Sequence, residues 1–406
     1  MLKGRESKPH IGIFGRRNIG KSSFINALAG QDIAIVSEVP GTTTDPVRKS
    51  MEIAGIGPAI LIDTAGIDDD GELGAKRVGR TLAALRTVDL AILIIAQNTF
   101  GQYELDIVKT CGEYKVPIVV VHNKADMEML SEGLKQKLEA DYRAQVVDFC
   151  ALQPSNIDQL LETLRKAMPP TAYTSRSLLG HLLSPGDMVL LITPIDSEAP
   201  EGRMILPQVQ AIRDVLDNDC PVVLVKENGL EELISQLRPQ PKLAITDSQV
   251  FEKANAAIPR HIPLTSFSIM LASHKGDFEN YLEGTPKIDS LQNGDRVLIL
   301  ESCTHHVSCD DIGRFKIPNW MTKYTAKELH FDVVAGLADT PHPITNYALV
   351  VQCGGCIITR KQVVGRLKAA VDAGVPVTNY GMAIAWMHGI YKRAVAPFLN
   401  NGKRLY

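Results

Sequence analysis

A chain of 406 residues, with 45% hydrophobic and 22% charged side chains, has the composition of a globular protein and is too long for one ordinary hydrophobic core. Its 43 basic and 46 acidic side chains give a formal net charge of −3, which offers no electrostatic case for a nucleic-acid or membrane partner. The sequence has no apolar run of about 18 residues and no signal-peptide core at its start, so we expect a cytoplasmic protein.

The cysteines are unevenly distributed along the chain. Their number, seven, is odd, which argues against a disulfide framework. Four of them cluster near the C-terminus, where we expect a metal site in a reducing compartment: Cys303, Cys309, Cys353 and Cys356. The others are expected to be small buried hydrophobic side chains: Cys111, Cys150 and Cys220.

From residue 10 to residue 165, short apolar runs alternate with amphipathic segments, which predicts a parallel, doubly wound α/β sheet. The candidate strands are residues 10–14, 59–62, 89–95, 117–122 and 145–149. A Met-Pro-Pro-Thr sequence at 168–171 is expected to end the last helix and indicates a linker. We therefore predict a first domain over residues 1–170.

Two further α/β domains are predicted, a small one over residues 178–265 and a C-terminal one over residues 266–406. The candidate strands of the small domain are residues 188–195, 221–227 and 242–247, and its candidate helices lie near 207–217 and 229–236. The candidate elements of the C-terminal domain are strands at 296–303 and 347–353, a helix near 361–373 and a strand and turn at 375–381. Both early strands of the C-terminal domain end in a cysteine.

The sequence Gly-Arg-Arg-Asn-Ile-Gly-Lys-Ser at residues 15–22 matches the phosphate-binding P-loop at every fixed position, between a predicted strand and a predicted helix. Glycines let the backbone wrap around phosphates, and the helix N-terminus adds positive potential. We expect Lys21 to reach the β- and γ-phosphates and the Ser22 hydroxyl to ligate Mg²⁺. The remaining nucleotide contacts expected from this segment are Gly15, Arg17, Asn18, Ile19, Gly20 and Ser23.

Three more motifs follow in the order that GTPases require. The sequence D-T-A-G at 63–66 predicts that Asp63 holds Mg²⁺ through water and that the Gly66 N–H meets the γ-phosphate. Between this motif and the P-loop lie threonines 42–44, of which we expect Thr43 to close on Mg²⁺ when GTP is bound.

The base-binding motif is N-K-A-D, at residues 123–126, with predicted contacts from Asn123, Lys124 and Asp126. The Asp126 carboxylate accepts hydrogen bonds from N1–H and the 2-amino group of guanine, donors that adenine lacks. Cys150 and Ala151 lie where GTPases make a short backbone contact to the base. The four motifs together predict GTP binding and hydrolysis.

Ile67 follows the D-T-A-G motif where Ras-like enzymes carry a glutamine that orients water. In this respect the domain resembles the tRNA-modification GTPase and Era-like families, which have a hydrophobic residue there. In potassium-activated members an asparagine at the position of Asn18 helps to bind the cation. The resemblance therefore implies slow, potassium-stimulated hydrolysis, with a purely structural role for Asn18 as the alternative.

The C-terminal cysteines form the pattern C-x-H at 303–305 and C-x-x-C at 353–356. A C-x-x-C turn after a strand points two thiolates in the same direction, and thiolates suit zinc and iron–sulfur clusters. A zinc site made by these cysteines and His305 is one interpretation, an iron–sulfur cluster is another, and a dithiol redox pair is a third.

The order of an N-terminal GTPase, a small central α/β domain and a C-terminal C-x-H…C-x-x-C domain resembles the HydF family of [FeFe]-hydrogenase maturation GTPases over essentially the whole chain. The resemblance implies a [4Fe–4S] cluster held by Cys303, Cys353 and Cys356, with His305 as a candidate further ligand. The family often has histidine directly before the second cysteine pair. Gln352 occupies that position here, and a neutral amide is a poor iron ligand.

The resemblance also implies a scaffold or carrier that receives a di-iron unit made with two radical-SAM maturases and passes it to apo-[FeFe]-hydrogenase. The central domain implies a homodimer, and we expect no nucleic-acid or membrane partner. The alternative is a GTPase of RNA modification or ribosome assembly with a zinc-containing accessory domain. The charge balance and the lack of a basic stretch interleaved with aromatic residues argue against that alternative.

Overall fold

The structure is a computed structural model that describes residues 8–30, 47–64, 79, 81–154, 156–169, 177–194, 204–302, 311–336, 338–400 and 403–404, with backbone only at 400, 403 and 404. The chain divides into two compact units, Met1–Ser175 and Arg176–Tyr406. Among the described residues, no helix is both long enough and apolar enough to cross a bilayer.

The N-terminal unit is a six-stranded sheet flanked by helices. Its strands are β1 (His10–Phe14), β2 (Val47–Ile53), β3 (Gly57–Asp63), β4 (Leu90–Ala96), β5 (Ile118–Asn123) and β6 (Gln145–Asp148). Its described helices are α1 (Lys21–Ala29), α2 (Gln102–Glu113), α3 (Glu132–Tyr142) and α4 (Ile157–Ala167). The five predicted strands are confirmed to within two residues at each end.

The strand order is β2-β3-β1-β4-β5-β6, and all neighbours are parallel except β2, which runs antiparallel to β3. Strands β1, β4 and β5 are buried along their whole length because they pack against helices on both faces, as their continuous apolar sequences require. Strand β1 lies in the centre, and the chain crosses from one side of it to the other after β3. The loop after β1 therefore opens at the topological switch point, where α/β sheets bind ligands.

The C-terminal unit contains two four-stranded parallel sheets. Its strands are β7 (Val189–Ile192), β8 (Val222–Val225), β9 (Leu243–Thr246), β10 (Leu264–Ser266), β11 (Arg296–Glu301), β12 (His330–Ala335), β13 (Leu349–Gln352), β14 (Val377–Asn379), β15 (Leu399–Asn400) and β16 (Lys403–Arg404). Its described helices are α5 (Leu206–Asp217), α6 (Leu230–Gln236), α7 (Phe251–Ala257), α8 (Phe267–Lys275), α9 (Phe278–Gly284), α10 (Ile317–Thr325), α11 (Arg360–Asp372), α12 (Tyr380–Met387) and α13 (Tyr391–Val395). The predicted α/β class is confirmed.

The two sheets share one topology. Their orders are β8-β7-β9-β10 and β12-β11-β13-β14, so in each sheet the first strand pairs with the second on one side and the third on the other. Strands β15 and β16 form a separate antiparallel hairpin. Each parallel sheet thus has its own switch point, between β7 and β9 in the first and between β11 and β13 in the second.

Helix α8 joins the two sheets into one unit. Seven of its nine residues are buried, and a single hydrophobic cluster extends from Leu178 through α8 to Phe398. A helix that is apolar around most of its circumference is stable only inside a core. Strand β10 ends at Ser266, one residue beyond the predicted end of the small domain, and the division into three domains stays a prediction.

Candidate functional site

The P-loop joins β1 to α1 with two glycines in conformations that other residues rarely adopt. Gly15 has φ 147° and Gly20 has φ 91°. A Cβ atom on Gly15 would lie 2.5 Å from the Ile94 carbonyl oxygen, and one on Gly20 would lie 2.4 Å from Asn123 Nδ2. Both positions therefore require glycine, because the loop passes close to β4 and to the N-K-A-D segment.

The first turn of α1 is the anion-binding end of the loop. Its N-cap, Gly20, provides no side-chain hydrogen bond, and the first turn contains no acidic residue. Ser22 and Ser23 lie in this half-buried turn. The backbone N–H groups of this turn and the positive end of the helix dipole suit a phosphate.

Lys21 folds back over the loop. Its Nζ donates to the carbonyl oxygens of Gly15 at 2.9 Å and Arg16 at 2.5 Å. Arg16 in turn makes a two-pronged ion pair with Glu104 on α2, at 2.8 Å and 3.0 Å. Although burial raises the pKa of Glu104, hydrogen bonds from Arg16 and from the Gly101 backbone bring it below its ordinary value. The ion pair keeps one side of the P-loop in position.

Glu104 was missed in the sequence because it lies 88 residues from Arg16 inside an ordinary amphipathic helix. The one local signal is Gly101 at the start of α2, whose N–H donates to Glu104 Oε2 at 2.8 Å. That contact identifies a helix start but gives no indication of the P-loop as a partner.

Asp63 ends β3 and lies beside Ile13 in the register of β1. Its Oδ1 is buried without a hydrogen-bond partner among the described residues. Burial raises the pKa of Asp63, and the positive charges of Lys21 and Lys49 oppose that rise. An orphaned carboxylate oxygen next to the P-loop lysine fits a hydrated Mg²⁺ ion, as the D-T-A-G motif predicts.

Asn123, a buried residue at the end of β5, connects the P-loop to the base-binding loops. Its Nδ2 donates to the Ile19 carbonyl at 2.8 Å, and its Oδ1 accepts from the Ala151 N–H at 3.0 Å. Lys124 Nζ donates to the Asn18 carbonyl at 2.9 Å. The predicted nucleotide contacts from three separate loops are thus brought together by direct hydrogen bonds.

Asp126 and Cys150 meet at the base-binding end. The Cys150 thiol donates to Asp126 Oδ1 at 3.1 Å, and both residues are at least partly exposed. The prediction that Cys150 is a buried hydrophobic side chain is wrong, because Cys150 follows β6 on the open edge of the site. Cys111 and Cys220 are buried, as predicted.

The cysteine pair of the C-terminal unit lies at the second switch point. Cys353 directly follows β13, whose Gln352 is in register with Leu300 on β11, and the Cys353 N–H donates to the Leu300 carbonyl at 2.9 Å. Three hydrogen-bonding atoms surround the Cys353 sulfur: Ser302 N at 3.1 Å, Ser302 Oγ at 2.9 Å and Gln352 Nε2 at 3.4 Å. The residue that follows β11 and the last residue of β13 thus converge on one sulfur.

A buried lysine holds the turn that carries Cys356 through hydrogen bonds to the carbonyls of the turn. Gly355 has φ 65°, and its carbonyl accepts from the Ile358 N–H at 3.2 Å. Lys275, the last residue of α8, donates from Nζ to the carbonyls of Gly355, Cys356 and Ile358 at 3.3, 3.2 and 3.1 Å. An ammonium group therefore lies directly beneath the turn.

Several predicted residues lie outside the part of the chain that the structure describes. They are Thr43, Gly66, Ile67, Cys303, His305 and Cys309. Of the three cysteines expected to hold a cluster, Cys353 and Cys356 are described. Within the described ranges no group of three or more His, Cys, Asp or Glu side chains is arranged to hold a metal ion.

Comparison with protein families identifies the C-terminal unit. Residues 178–276 match the hydrogen maturase F dimerization domain, and residues 279–397 match the hydrogen maturase F tetramerization domain, so the two matches extend over more than half of the chain. This chain belongs to the hydrogen maturase F (HydF) family. Its N-terminal unit is a GTPase domain, because residues 10–124 match the family described as 50S ribosome-binding GTPase.

Outside the HydF domains, the similarity is to other GTPases. The tRNA modification GTPase MnmE of Nitrosomonas europaea is 35% identical over 168 residues, 41% of this chain and 35% of that protein. GTPase Der of Wolinella succinogenes is 33% identical over 188 residues, 43% of this chain and 40% of that protein. This HydF chain thus spans less than half the length of either relative. The crystal structure of Aquifex aeolicus Era bound to GDP.AlF4- has 21% identity and a TM-score of 0.35, covering 54% of this chain and 92% of that chain.

Proposed function

We propose that this HydF chain hydrolyses GTP and carries a [4Fe–4S] cluster, on which a di-iron unit is received and from which it is delivered to apo-[FeFe]-hydrogenase. The main support is that one chain combines a GTPase domain, in which hydrogen bonds join the P-loop to both base-binding loops, with a cysteine turn at the switch point of a HydF domain.

GTP hydrolysis requires charge stabilisation more than covalent chemistry from the protein. Water attacks the γ-phosphorus, the bond to the β–γ bridging oxygen breaks, and negative charge grows on that oxygen. Lys21 leaves the loop carbonyls for the phosphates, and the N–H groups at the start of α1 neutralise the growing charge. Ser22, Thr43 and Asp63 would hold Mg²⁺, which supplies further positive charge when it is bound.

Slow, potassium-dependent turnover belongs to this proposal. Ile67 cannot orient water, so the chain lacks the glutamine that Ras-like enzymes use. Asn18 has an exposed side chain and a left-handed backbone with φ 57°, and its carbonyl already accepts from Lys124. Its side-chain oxygen is therefore the group that we assign to K⁺ beside the phosphates, where the ion does the electrostatic work of an arginine finger.

The described cysteines fit an iron–sulfur cluster by the chemistry of their surroundings. Hydrogen-bond donors on the Cys353 sulfur and a buried ammonium beneath Cys356 stabilise thiolates and the negative charge of a cluster. Cys303 would be the third thiolate, and His305 is a candidate further ligand. When bound, the cluster supplies an iron at which a bridging ligand of the di-iron cargo can attach.

The proposed assembly is a homodimer that exchanges the di-iron unit with two radical-SAM maturases and apo-hydrogenase. Strand β8 is an edge strand of the sheet that the dimerization-domain match covers, with the apolar sequence Val-Val-Leu-Val. Leu224 on this strand is 39% exposed, and Val209 and Leu216 on the neighbouring α5 are also exposed. An apolar edge strand is a template for pairing, so we assign the dimer contact to this edge.

The delivery function is tested by transfer in a purified system. The chain is produced together with the two maturases, purified and incubated with apo-hydrogenase, and hydrogen evolution is measured. We expect activity with wild-type protein and less than a tenth of it with Cys353→Ser. Full activity with Cys353→Ser, or none with wild type that contains iron and sulfide, would contradict the delivery function.

A further inference from the structure

Ser302 and Gln352 both donate to the sulfur of Cys353, and neither was assigned a role as a ligand. We propose that these two side chains are positioning residues that raise the reduction potential of the cluster through hydrogen bonds to the Cys353 sulfur. This inference rests on the proposed cluster.

The contacts are shielded from water. Gln352 is 0% exposed, and Ser302 is 5% exposed. The distances to the sulfur of 2.9 Å from Ser302 Oγ and 3.4 Å from Gln352 Nε2 lie within the range for sulfur acceptors. In a buried site of low polarity, such hydrogen bonds are electrostatically stronger than they are in water.

The direction of the Ser302 hydrogen bond follows from its second contact. Gln352 Nε2 donates to Ser302 Oγ at 3.3 Å, which leaves the hydroxyl hydrogen free to point at the Cys353 sulfur. A cysteine bound to iron is a thiolate without a proton, so the hydroxyl must be the donor in the loaded protein. Gln352 thus acts on the sulfur both directly and through Ser302.

The orientation of the Gln352 amide is set by its neighbours. Nε2 also donates to the Cys353 carbonyl at 3.2 Å, whereas Oε1 is buried without a partner among the described residues. Turning the amide round would bring Oε1 against that carbonyl and the sulfur, both of which are acceptors in the loaded state. The amide therefore keeps its donor side towards the sulfur, although its oxygen is left unsatisfied.

Reduction adds one negative charge, which spreads over the irons and the sulfurs. Donors directed at a sulfur stabilise the reduced form more than the oxidised form, so they raise the potential. Since both side chains are already buried and oriented in the chain, little further ordering is needed to exert this effect. Removing either donor should make the cluster harder to reduce.

The experiment uses full-length protein reconstituted anaerobically with iron and sulfide, and the midpoint potential is read from the EPR signal during a redox titration. We expect Ser302→Ala and Gln352→Leu to shift the equilibrium constant for one-electron reduction about tenfold, equivalent to ~59 mV towards more negative potential. Ser302→Thr, which keeps the hydroxyl, should remain close to wild type. Ser290→Ala, at an exposed serine of the same unit, is the matched control.

If Gln352→Leu fails to retain iron, the midpoint potentials of Ser302→Ala and Ser302→Thr test the inference, because only Ser302→Thr keeps the hydroxyl donor. Equal potentials in Ser302→Ala, Ser302→Thr and wild type, with a full cluster in each, would overturn the inference and leave the proposed function intact. Wild-type protein that binds neither iron nor sulfide would instead defeat the proposed cluster itself.

Discussion

At the residue scale, the Asp126 carboxylate is the group that we propose selects guanine, and one of its oxygens already accepts a hydrogen bond from the Cys150 thiol. We predict that Asp126→Asn weakens GTP binding by about 2–4 kcal/mol, because an amide nitrogen then faces donors of guanine. The same variant should gain affinity for xanthosine triphosphate, whose carbonyl at C2 accepts a hydrogen bond from the new amide. Isothermal titration calorimetry with each nucleotide measures the loss of GTP affinity and the gain of affinity for xanthosine triphosphate.

Asp141→Asn, at an exposed aspartate on α3, controls for the loss of a negative charge. It should leave both affinities unchanged. An Asp126→Asn protein that binds GTP as tightly as wild type and shows no preference for xanthosine triphosphate would mean that the N-K-A-D loop does not bind the base.

The proposed potassium stimulation rests on a single side chain, Asn18. We predict that GTP turnover is faster in potassium than in sodium chloride at equal ionic strength, and that Asn18→Ala removes the difference. Phosphate release in the two salts is the measurement. Equal turnover of wild type in both salts would leave Asn18 as a residue that only supports the loop conformation.

At this scale, the sequence alone predicts the side chains that belong to motifs of fixed spacing. It does not predict the side chains that distant helices bring to the P-loop and to the cysteine turn. Lys21, Ser22 and Asp63 belong to motifs whose spacing follows from the chemistry of phosphate and Mg²⁺. Glu104 and Lys275 are single charges in unremarkable helices, and their partners are P-loop and turn residues that lie far away in the chain. No local pattern distinguishes such a residue from a solvent-exposed charge.

The cysteine turn and helix α8 form one structural element through Lys275. Lys275→Met would keep an unbranched apolar side chain but leave three carbonyls of the turn without their ammonium donor. We predict that the free energy of unfolding of the C-terminal unit falls by about 2–4 kcal/mol. Urea denaturation followed by tryptophan fluorescence reports on this unit alone, because the two tryptophans of the chain are Trp320 and Trp386.

Lys287→Met, at an exposed lysine in the same unit, is the matched control and should change the unfolding free energy by less than about 0.5 kcal/mol. Reconstituted Lys275→Met should also lose iron faster than wild type. Equal stability and equal iron retention would show that the turn keeps its shape without the ammonium group.

Among the secondary-structure elements, strands with strongly apolar sequences were predicted well. Strand β2 was missed because four of the seven residues in its sequence, Val-Arg-Lys-Ser-Met-Glu-Ile, are charged or polar, which suits an edge strand with one exposed face. Helix α8 was missed because a helix buried on nearly all sides has no amphipathic period. Both errors arise from the position of an element in the fold, which a local pattern does not contain.

For the whole molecule, the central question is how copies of the chain associate. If β8 forms the dimer contact, Leu224→Lys places a charge on the pairing edge and should convert dimers to monomers at micromolar concentration. Sedimentation velocity gives the mass. Met129→Lys, at a 75% exposed site in the GTPase unit, is the control. A Leu224→Lys protein that sediments as wild type would exclude this edge.

The molecular function could be predicted only in part from spacing. The GTPase motifs identify a nucleotide and a reaction class because each motif has one chemical explanation. The cysteine pattern alone was compatible with zinc, an iron–sulfur cluster or a redox pair, since thiolates suit all three. The choice among them came from family resemblance. The family is now shown by the two HydF domain matches, whereas the cluster itself stays a proposal.

The most direct test is metal and turnover analysis of one anaerobically reconstituted preparation. We predict about four iron and four sulfide per chain, an EPR signal after reduction, and GTP hydrolysis in the same sample. Cys353→Ser and Cys356→Ser should lose the cluster and keep GTP binding, Lys21→Ala should keep the cluster and lose turnover, and Cys220→Ser should retain both. A colourless wild-type protein with one tightly bound zinc and no sulfide would contradict the account.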